Sequence, residues 1–471
     1  MNKIIRANNF RNFIYVFSSQ IVVLISGLIK TLVIPVLLGL SDFGYWQIYV
    51  FYTVYIGIFT LGYGDGLYLR YGGYEFGNLP LSKIRTSNIP YLALLALSSI
   101  GLAIYAVFNA DPYRKIVFLA IGANVVILGI TSIISLTLQA TNLLKGYAVI
   151  NSADKVFFSF ALLALINKEF RTLEYLITID LATKLIVLVL LLQRYHQLYI
   201  GRLDPLLDGV REFFSSVSGG GALLLANLTG MLVLGVGRIV IEYFGDIDSY
   251  AYYSFAVSLS NIVLITITAL SVVIYPSLKR HHLNDYLNYF NKTTKTYFVF
   301  ILVMLCGYFP AVVFIQLVAH QYTPVLQFLN IIFLVTVLQG KMQLVNNTFY
   351  KALRLERSML IANATSLLIA GILSFAGFLL FHSILVVAYA AFATMLFRVY
   401  LSEYFLRKKM VEKYSKQPLA EVTLLVCFVL VTLFLPLEQA ALAWFLIVAS
   451  VLLYKRQELL ETWFQIRSGT K

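Results

Sequence analysis

Long apolar runs and short polar connections alternate from one end of the chain to the other. The runs fall at roughly 12–38, 44–66, 89–109, 116–138, 147–166, 175–193, 216–242, 250–275, 296–318, 323–345, 359–380, 384–405, 419–436 and 440–455. Each is close to the ~20 residues that a helix needs to cross a ~30 Å hydrocarbon layer. The pattern predicts an all-α polytopic membrane protein with about fourteen spanning helices and no soluble domain. Pro80, Pro90, Pro112, Pro205, Pro276, Pro324, Pro418 and Pro436 sit at or near the run ends, whereas Pro35 and Pro310 lie inside runs, where a kink is expected. Asp204–Ser216 mixes charged and apolar residues and is expected to form a short surface-lying helix.

The distribution of charge orients this map. Lys3, Arg6 and Arg11, then Arg70, Lys83 and Arg85, then Lys145, then Arg194, Arg202 and Arg211 all fall on one side. So do Lys279, Arg280, Lys292, Lys295, Lys351, Arg354, Arg357, Arg407, Lys408, Lys409, Lys413, Lys416, Lys455, Arg456, Arg467 and Lys471. The other side receives only Arg114, Lys115, Lys168 and Arg171. By the positive-inside rule both termini are expected in the cytoplasm. The same rule accounts for the net charge of +14, which in a soluble protein would point to nucleic acid. The basic start followed by an apolar run has no small-residue cleavage site, so it reads as a retained first span and not a signal peptide.

A hydrophobic fraction of 60 % and a charged fraction of 12 % exclude an ordinary soluble domain, which carries roughly twice that charge. Cys306 and Cys427 lie in apolar runs and suggest neither disulfide nor metal. The five histidines have no metal-ligand spacing, and there is no phosphate loop or nucleophile elbow. No cofactor is expected, and an enzyme is not.

A weak internal repeat pairs Gly39–Tyr49 with Gly245–Phe255, identical at Gly39/Gly245 and Asp42/Asp248. It equates the first helix with the seventh and implies two six-helix halves plus two further helices, a common transporter plan. The expected boundaries are an N-terminal lobe at 1–194, a linker at 195–215, a C-terminal lobe at 216–406, and helices thirteen and fourteen with a tail at 407–471.

Six cations remain inside the runs: Lys30, Lys155, Lys184, Arg238, Lys341 and Arg398. A cation at mid-helix costs about 2.5 kcal/mol or more, so such residues are functional candidates by default. Lys30, Arg238, Lys341 and Arg398 are taken as substrate-binding candidates; snorkelling to the nearer surface is the other reading, or, for Arg238, pairing with Glu242. Asp180 and Lys184, four residues apart, read first as a neutralised pair, and Asp154 beside Lys155 as interfacial. Asp154 and Asp180 are also the acids placed to couple an ion. Asp65 and Arg70 read as a cytoplasmic gate or anchor. The glycines at 219–221, with Gly230, Gly235 and Gly237, read as a close helix contact, or else a hinge.

Leu28–Arg70 resembles the first two helices of Wzx-type polysaccharide flippases. Arg238–Arg280 resembles their seventh and eighth, with its Tyr-Ser-Phe-Ala and Tyr-Pro-x-Leu-Lys-Arg elements. The resemblance implies the multidrug/oligosaccharidyl-lipid/polysaccharide (MOP) exporter fold, with two lobes around a cationic cavity. It implies an undecaprenyl-diphosphate-linked oligosaccharide, such as an O-antigen unit, carried across the bacterial inner membrane. It also implies a polysaccharide polymerase and a chain-length regulator as candidate partners, and no nucleic acid. Relatives often carry an acid or amide just before the arginine matched by Arg238; Gly237 stands there instead, so no coupling role carries over to that position. A cation/drug antiporter of the same superfamily would want a cavity acid. An oligosaccharide polymerase or ligase would want a sizeable outer loop bearing arginines, and the outer loops are short. A lipid scramblase would not need so many buried cations.

Overall fold

The computed structural model describes residues 2–164, 171–278, 286–410 and 417–454. Lys168, Lys279, Arg280, His281, His282, Lys413, Lys416, Lys455, Arg456, Arg467 and Lys471, which entered the reading above, lie outside the described residues, as do the side chains of Lys3, Arg6, Arg11, Pro276 and Pro418. Among the described residues there is helix and no strand, and each of the fourteen apolar runs falls mainly on helix. Ten of the helical stretches are long and apolar enough to cross a membrane, and Ala420–Phe434 is a shorter apolar helix.

The chain forms two compact units, Met1–Met231 and Leu232–Lys471. The first holds α1 (Asn2–Leu37), α2 (Leu40–Val54), α3 (Tyr63–Tyr71), α4 (Leu81–Val107), α5 (Pro112–Ala140), α6 (Leu144–Ala164), α7 (Leu173–Arg194) and the first part of α8 (Leu206–Phe244). The second holds the rest of α8 and α9 (Ile247–Leu278), α10 (Tyr286–Leu305), α11 (Tyr308–Leu317), α12 (Leu329–Lys341), α13 (Asn347–Ala352), α14 (Glu356–Phe381), α15 (Ile384–Lys409), α16 (Gln417–Phe434) and α17 (Leu437–Tyr454). The units divide inside α8, whereas the sequence reading drew its linker at 195–215. The amphipathic segment after Asp204 runs straight into the seventh span, giving one helix of 39 residues. At 1.5 Å per residue that is about 58 Å, nearly twice the hydrocarbon thickness.

Local chemistry explains where helices start and break. At α5 the Asp111 carboxylate accepts from the backbone N–H groups of Tyr113 and Arg114, with Pro112 in the first helical position. Pro35 falls in the last turn of α1, so it ends that helix where a mid-helix kink was expected. Pro310 lies in the first turn of α11, where an N–H has no helical partner; the chain breaks there at Cys306–Gly307 and does not bend within one helix. Pro90 was expected at a helix end and instead lies inside α4. The second span is broken too: a 3-10 turn at Ile56–Thr60 and the left-handed pair Leu61 (φ 50°) and Gly62 (φ 76°) separate α2 from α3. A Cβ at Gly62 would sit 2.7 Å from the Gly220 carbonyl carbon, so the turn needs glycine for φ and for space.

In the first unit α5 is central, flanked by α2, α3, α4, α6 and α7. Tyr91, whose hydroxyl donates to the Gly129 carbonyl at 3.0 Å, and Leu95 pack against it. In the second unit the central helix is α12, contacted by α9, α10, α15 and α16. Its stretch has the lowest mean hydropathy of the candidate spans, 1.2, and is 94 % buried; the α4 stretch has 2.1 and is 17 % buried. Polar side chains belong where protein, not lipid, surrounds them. α12 is followed by a π-helical turn at Met342–Asn346 before α13.

Candidate functional site

The first unit gathers its intramembrane charges into one network. Asp180 on α7 bonds Lys184 one turn later, and its other oxygen lies 3.7 Å from Lys30 Nζ on α1. Tyr49 on α2 donates to Asp180 Oδ2 at 2.6 Å, and Asn124 on α5 donates to the Tyr49 hydroxyl at 2.6 Å. Lys30 also lies over the Phe158 ring, 3.8 Å from its centroid, so a carboxylate and an aromatic face both stabilise it. On α6, Lys155 pairs with Asp154 at 3.1 Å. Five helices thus converge on two acids and three lysines, and three minus two leaves a net charge of +1.

A cavity of about 280 Å³ opens onto this network. Lys155, Lys184 and Asp154 line it, with Asn151, Ser132 and Thr131. Its walls therefore offer two ammonium groups, one carboxylate paired with Lys155 and several neutral hydrogen-bonding groups, a set suited to a polar, oxygen-rich ligand. Lys30 does not line this cavity but joins the network through Asp180. A second cavity of about 220 Å³ shares Leu128 and Ser132 and is lined by Asp65, Thr53 and Thr60.

Asp65 and Arg70 do not pair with each other. Arg70 bonds Glu212 and Ser215 on α8, and Lys83 approaches the other Glu212 oxygen at 2.9 Å. Tyr71 donates to the same carboxylate at 3.1 Å. Three donors from α3 and α4 therefore fasten the start of α8 to the first unit. Glycines extend this contact: a Cβ on Gly66 would lie 1.9 Å from the Ser216 carbonyl oxygen, and one on Gly220 would lie 2.1 Å from that of Gly62. The close-contact reading of Gly220 holds in this structure.

In the second unit, Lys341 at the end of α12 is 1 % exposed. It bonds Glu421 on α16 and lies 2.5 Å from Glu403 on α15, both carboxylates being 3 % exposed. Arg407 stands 4.0 Å from Glu403 and donates to Asn291 on α10 at 3.1 Å. Arg398, also 1 % exposed, donates to Asn363 at 2.8 and 3.0 Å and to Gln339 at 3.1 Å. Among the described residues no carboxylate is in ion-pair reach of Arg398; the amide oxygens of Asn363 and Gln339, with the Met395 sulfur, hold its charge. Protein surrounds both Lys341 and Arg398 in this structure, because acids and amides distant in sequence fold over them. Arg238 is half-buried, and its guanidinium donates to the Ser254 carbonyl at 3.4 Å. A Cβ on its neighbour Gly237 would lie 2.7 Å from the Tyr253 hydroxyl and 3.0 Å from Val387, which gives the glycine a packing reason.

Sequence reasoning missed Tyr49, Asn124, Glu212 and Glu421. Asn124 is fully buried in an otherwise apolar stretch of α5, and Glu421 is the one charge of α16, so each carried a signal. Tyr49 sits in an aromatic-rich helix and carried none.

No protein-family model and no curated protein matches this chain. Solved structures do. The structure of the lipid II flippase MurJ in an inward-closed conformation aligns with a TM-score of 0.60 at 15 % identity, covering 96 % of this chain and 100 % of that one. This chain has the fold of the MOP transporters. A MATE transporter in complex with MaL6 aligns at 0.55 with 10 % identity, over 86 % of this chain and 96 % of that one. An inward-facing multidrug-resistance MATE transporter of the MOP superfamily aligns at 0.54 with 13 % identity, over 84 % and 94 %. At these identities the likeness is one of fold. The many long apolar helices agree with a multi-pass membrane protein.

Proposed function

We propose that this MOP-fold protein carries a polyprenyl-diphosphate-linked oligosaccharide, a surface-polysaccharide repeat unit, from the cytoplasmic to the outer leaflet of a bacterial inner membrane by alternating access. The observation that carries the reading is the lysine-rich network around the 280 Å³ cavity of the first unit. A diphosphate pays a large desolvation cost on entering a low-dielectric layer, and ammonium groups offset it through charge-assisted hydrogen bonds. Lys184 and Lys155 are the proposed contacts, with Lys30 adding to the positive potential. The uncompensated Arg398 adds to the positive field of the second unit. Likeness to a flippase of a lipid-linked substrate supports the class of cargo. The Wzx-like segments support a saccharide repeat unit, with a polymerase and a chain-length regulator acting after it.

A cation/drug antiporter is the rival, and the MATE likeness keeps it in view. It would need a carboxylate free to meet a cation: Asp180 is held by Lys30, Lys184 and Tyr49, and Asp154 by Lys155, while Asp65 on the second cavity has no ion pair among the described residues and is the acid that reading would use. The test is a deletion strain of the host, with mass spectrometry of lipid-linked oligosaccharides and a stain for surface glycan. Complete lipid-linked units should accumulate and surface glycan should vanish, with rescue by the wild type and not by Lys184→Ala. Normal glycan with new drug sensitivity would replace this reading with antiport.

A further inference from the structure

Away from the lysine network, the first unit carries a groove of about 710 Å³ between the turn that follows α3 and the end of α5. Tyr68, Tyr74 and Glu75 line one side, and Gln139 and Asn142 the other. The turn is pinned: Gly73, in the left-handed region at φ 96°, donates its N–H to the Ala140 carbonyl at 3.0 Å. The Tyr74 ring stands edge-on to Tyr71, with centroids 5.7 Å apart and planes at 89°, and Tyr71 is itself anchored to Glu212. One aromatic face is therefore held at a fixed angle over the groove.

The groove's polar groups are uncommitted. Among the described residues the Tyr68 and Tyr74 hydroxyls, the Glu75 carboxylate and the Gln139 and Asn142 amides make no side-chain hydrogen bond, and four of these five residues are exposed, with Gln139 half-buried. Asn142, left-handed at φ 58°, closes α5, where the Leu143 N–H bonds the Leu138 carbonyl at 2.8 Å. The volume lies in the range of small-ligand pockets. No cation lines the groove and Glu75 would repel phosphate, so the ligand is not the diphosphate. Tyrosine faces give a flat apolar surface with a polar tip. Amides both donate to and accept from hydroxyl groups, and a carboxylate accepts from them. Together they fit a saccharide, whose ring presents C–H groups on its face and hydroxyls on its edge.

We infer that this groove is a subsite for the saccharide of the lipid-linked cargo. The inference rests on the proposed function. The two connections that form the groove are α3–α4 and α5–α6, which the positive-inside rule assigns to the cytoplasm, the side where the cargo is loaded. The groove reads the glycan there, separately from the lysines that meet the diphosphate, and it supplies a place where one repeat unit is preferred over another.

The test uses the full-length protein in detergent micelles and, as probe, the water-soluble oligosaccharide released by mild acid from the host's lipid-linked pool. Saturation-transfer NMR reports millimolar contacts and needs no diphosphate or lipid. Saturation should pass from protein to sugar protons, vanish for Tyr74→Ala and persist for Tyr74→Phe. Gln139→Ala should weaken binding about fivefold, the loss expected for one net hydrogen bond. Tyr74 is exposed and Gln139 half-buried, and an unchanged gel-filtration profile checks that each variant is folded. No saturation, or equal saturation for the wild type and Tyr74→Ala, overturns the subsite. The flippase reading is tested separately by the deletion strain: accumulated lipid-linked units with no sugar contact would sink the subsite alone, and normal surface glycan would sink the parent reading.

Discussion

Replacing Lys341 by alanine removes the only ammonium group between two buried carboxylates. Glu403 and Glu421 are each 3 % exposed, and Lys341 is 1 % exposed, so water cannot take the place of the lost partner. Breaking a buried ion pair from one side typically costs about 3–5 kcal/mol, because the remaining charge stays desolvated. Here two carboxylates are left facing each other, although Arg407 stands 4.0 Å from Glu403 and offsets part of the loss. We expect Lys341→Ala to cost about 3 kcal/mol or more. The same reasoning says that removing all three charges is far milder, since no carboxylate is then left unpaired and Arg407 keeps its bond to Asn291. The assay compares Lys341→Ala with the triple variant Lys341→Met, Glu403→Gln, Glu421→Gln by heat denaturation in micelles. The signal is the fluorescence of the three tryptophans, among them Trp444, which packs on Phe428 of α16 with ring centroids 4.9 Å apart. Unfolding of a protein this size is often irreversible, so transitions are compared at one scan rate. The single variant should melt well below both the wild type and the triple variant. A single variant as stable as the wild type would refute the buried triad.

Other outcomes follow from the same contacts. Tyr49→Phe strips Asp180 of a donor and leaves the Asn124 amide without its acceptor, so it should cost about 1–3 kcal/mol in the same melt. Gly220→Ala forces a methyl group against the Gly62 carbonyl and should cost about 1–3 kcal/mol, seen as a smaller monodisperse fraction in gel filtration. If Gly220→Ala were neutral, α3 and α8 would not cross as closely as described. Glu212→Gln loosens Arg70 and Lys83, whose side chains are 35 % and 44 % exposed. Such partly exposed pairs contribute about 1 kcal/mol or less each, so the melt should barely move. Limited proteolysis between α7 and α8 should nonetheless speed up, because the start of α8 is freed.

The spans were legible because bilayer thickness sets their length and lipid sets their composition, and both are local properties of sequence. The breaks inside them were not. Hydropathy stays high through Ile56–Thr60 and Cys306–Gly307, and the sequence around Met342–Asn346 does not announce a π-helical turn. Asp180 and Lys184 were legible as a pair because one turn of helix joins them. Lys30 with Asp180, and Lys341 with Glu421, are joined only by the tertiary fold, so each lysine looked like an unpaired charge waiting for substrate. An intramembrane cation in sequence marks a place where the protein must supply compensation. Only the fold says whether a ligand or a buried acid supplies it.

The most direct measurement is transport itself. The purified protein is reconstituted into vesicles carrying a polyprenyl-diphosphate-linked oligosaccharide in both leaflets, and periodate, which stays outside, oxidises whatever sugar it can reach. The account expects the inner-leaflet fraction to become reachable over time, about tenfold more slowly for Lys184→Ala if the lysine contributes about 1.4 kcal/mol to the rate-limiting state. Oxidation that stops at the outer-leaflet fraction, as in protein-free vesicles, would contradict it.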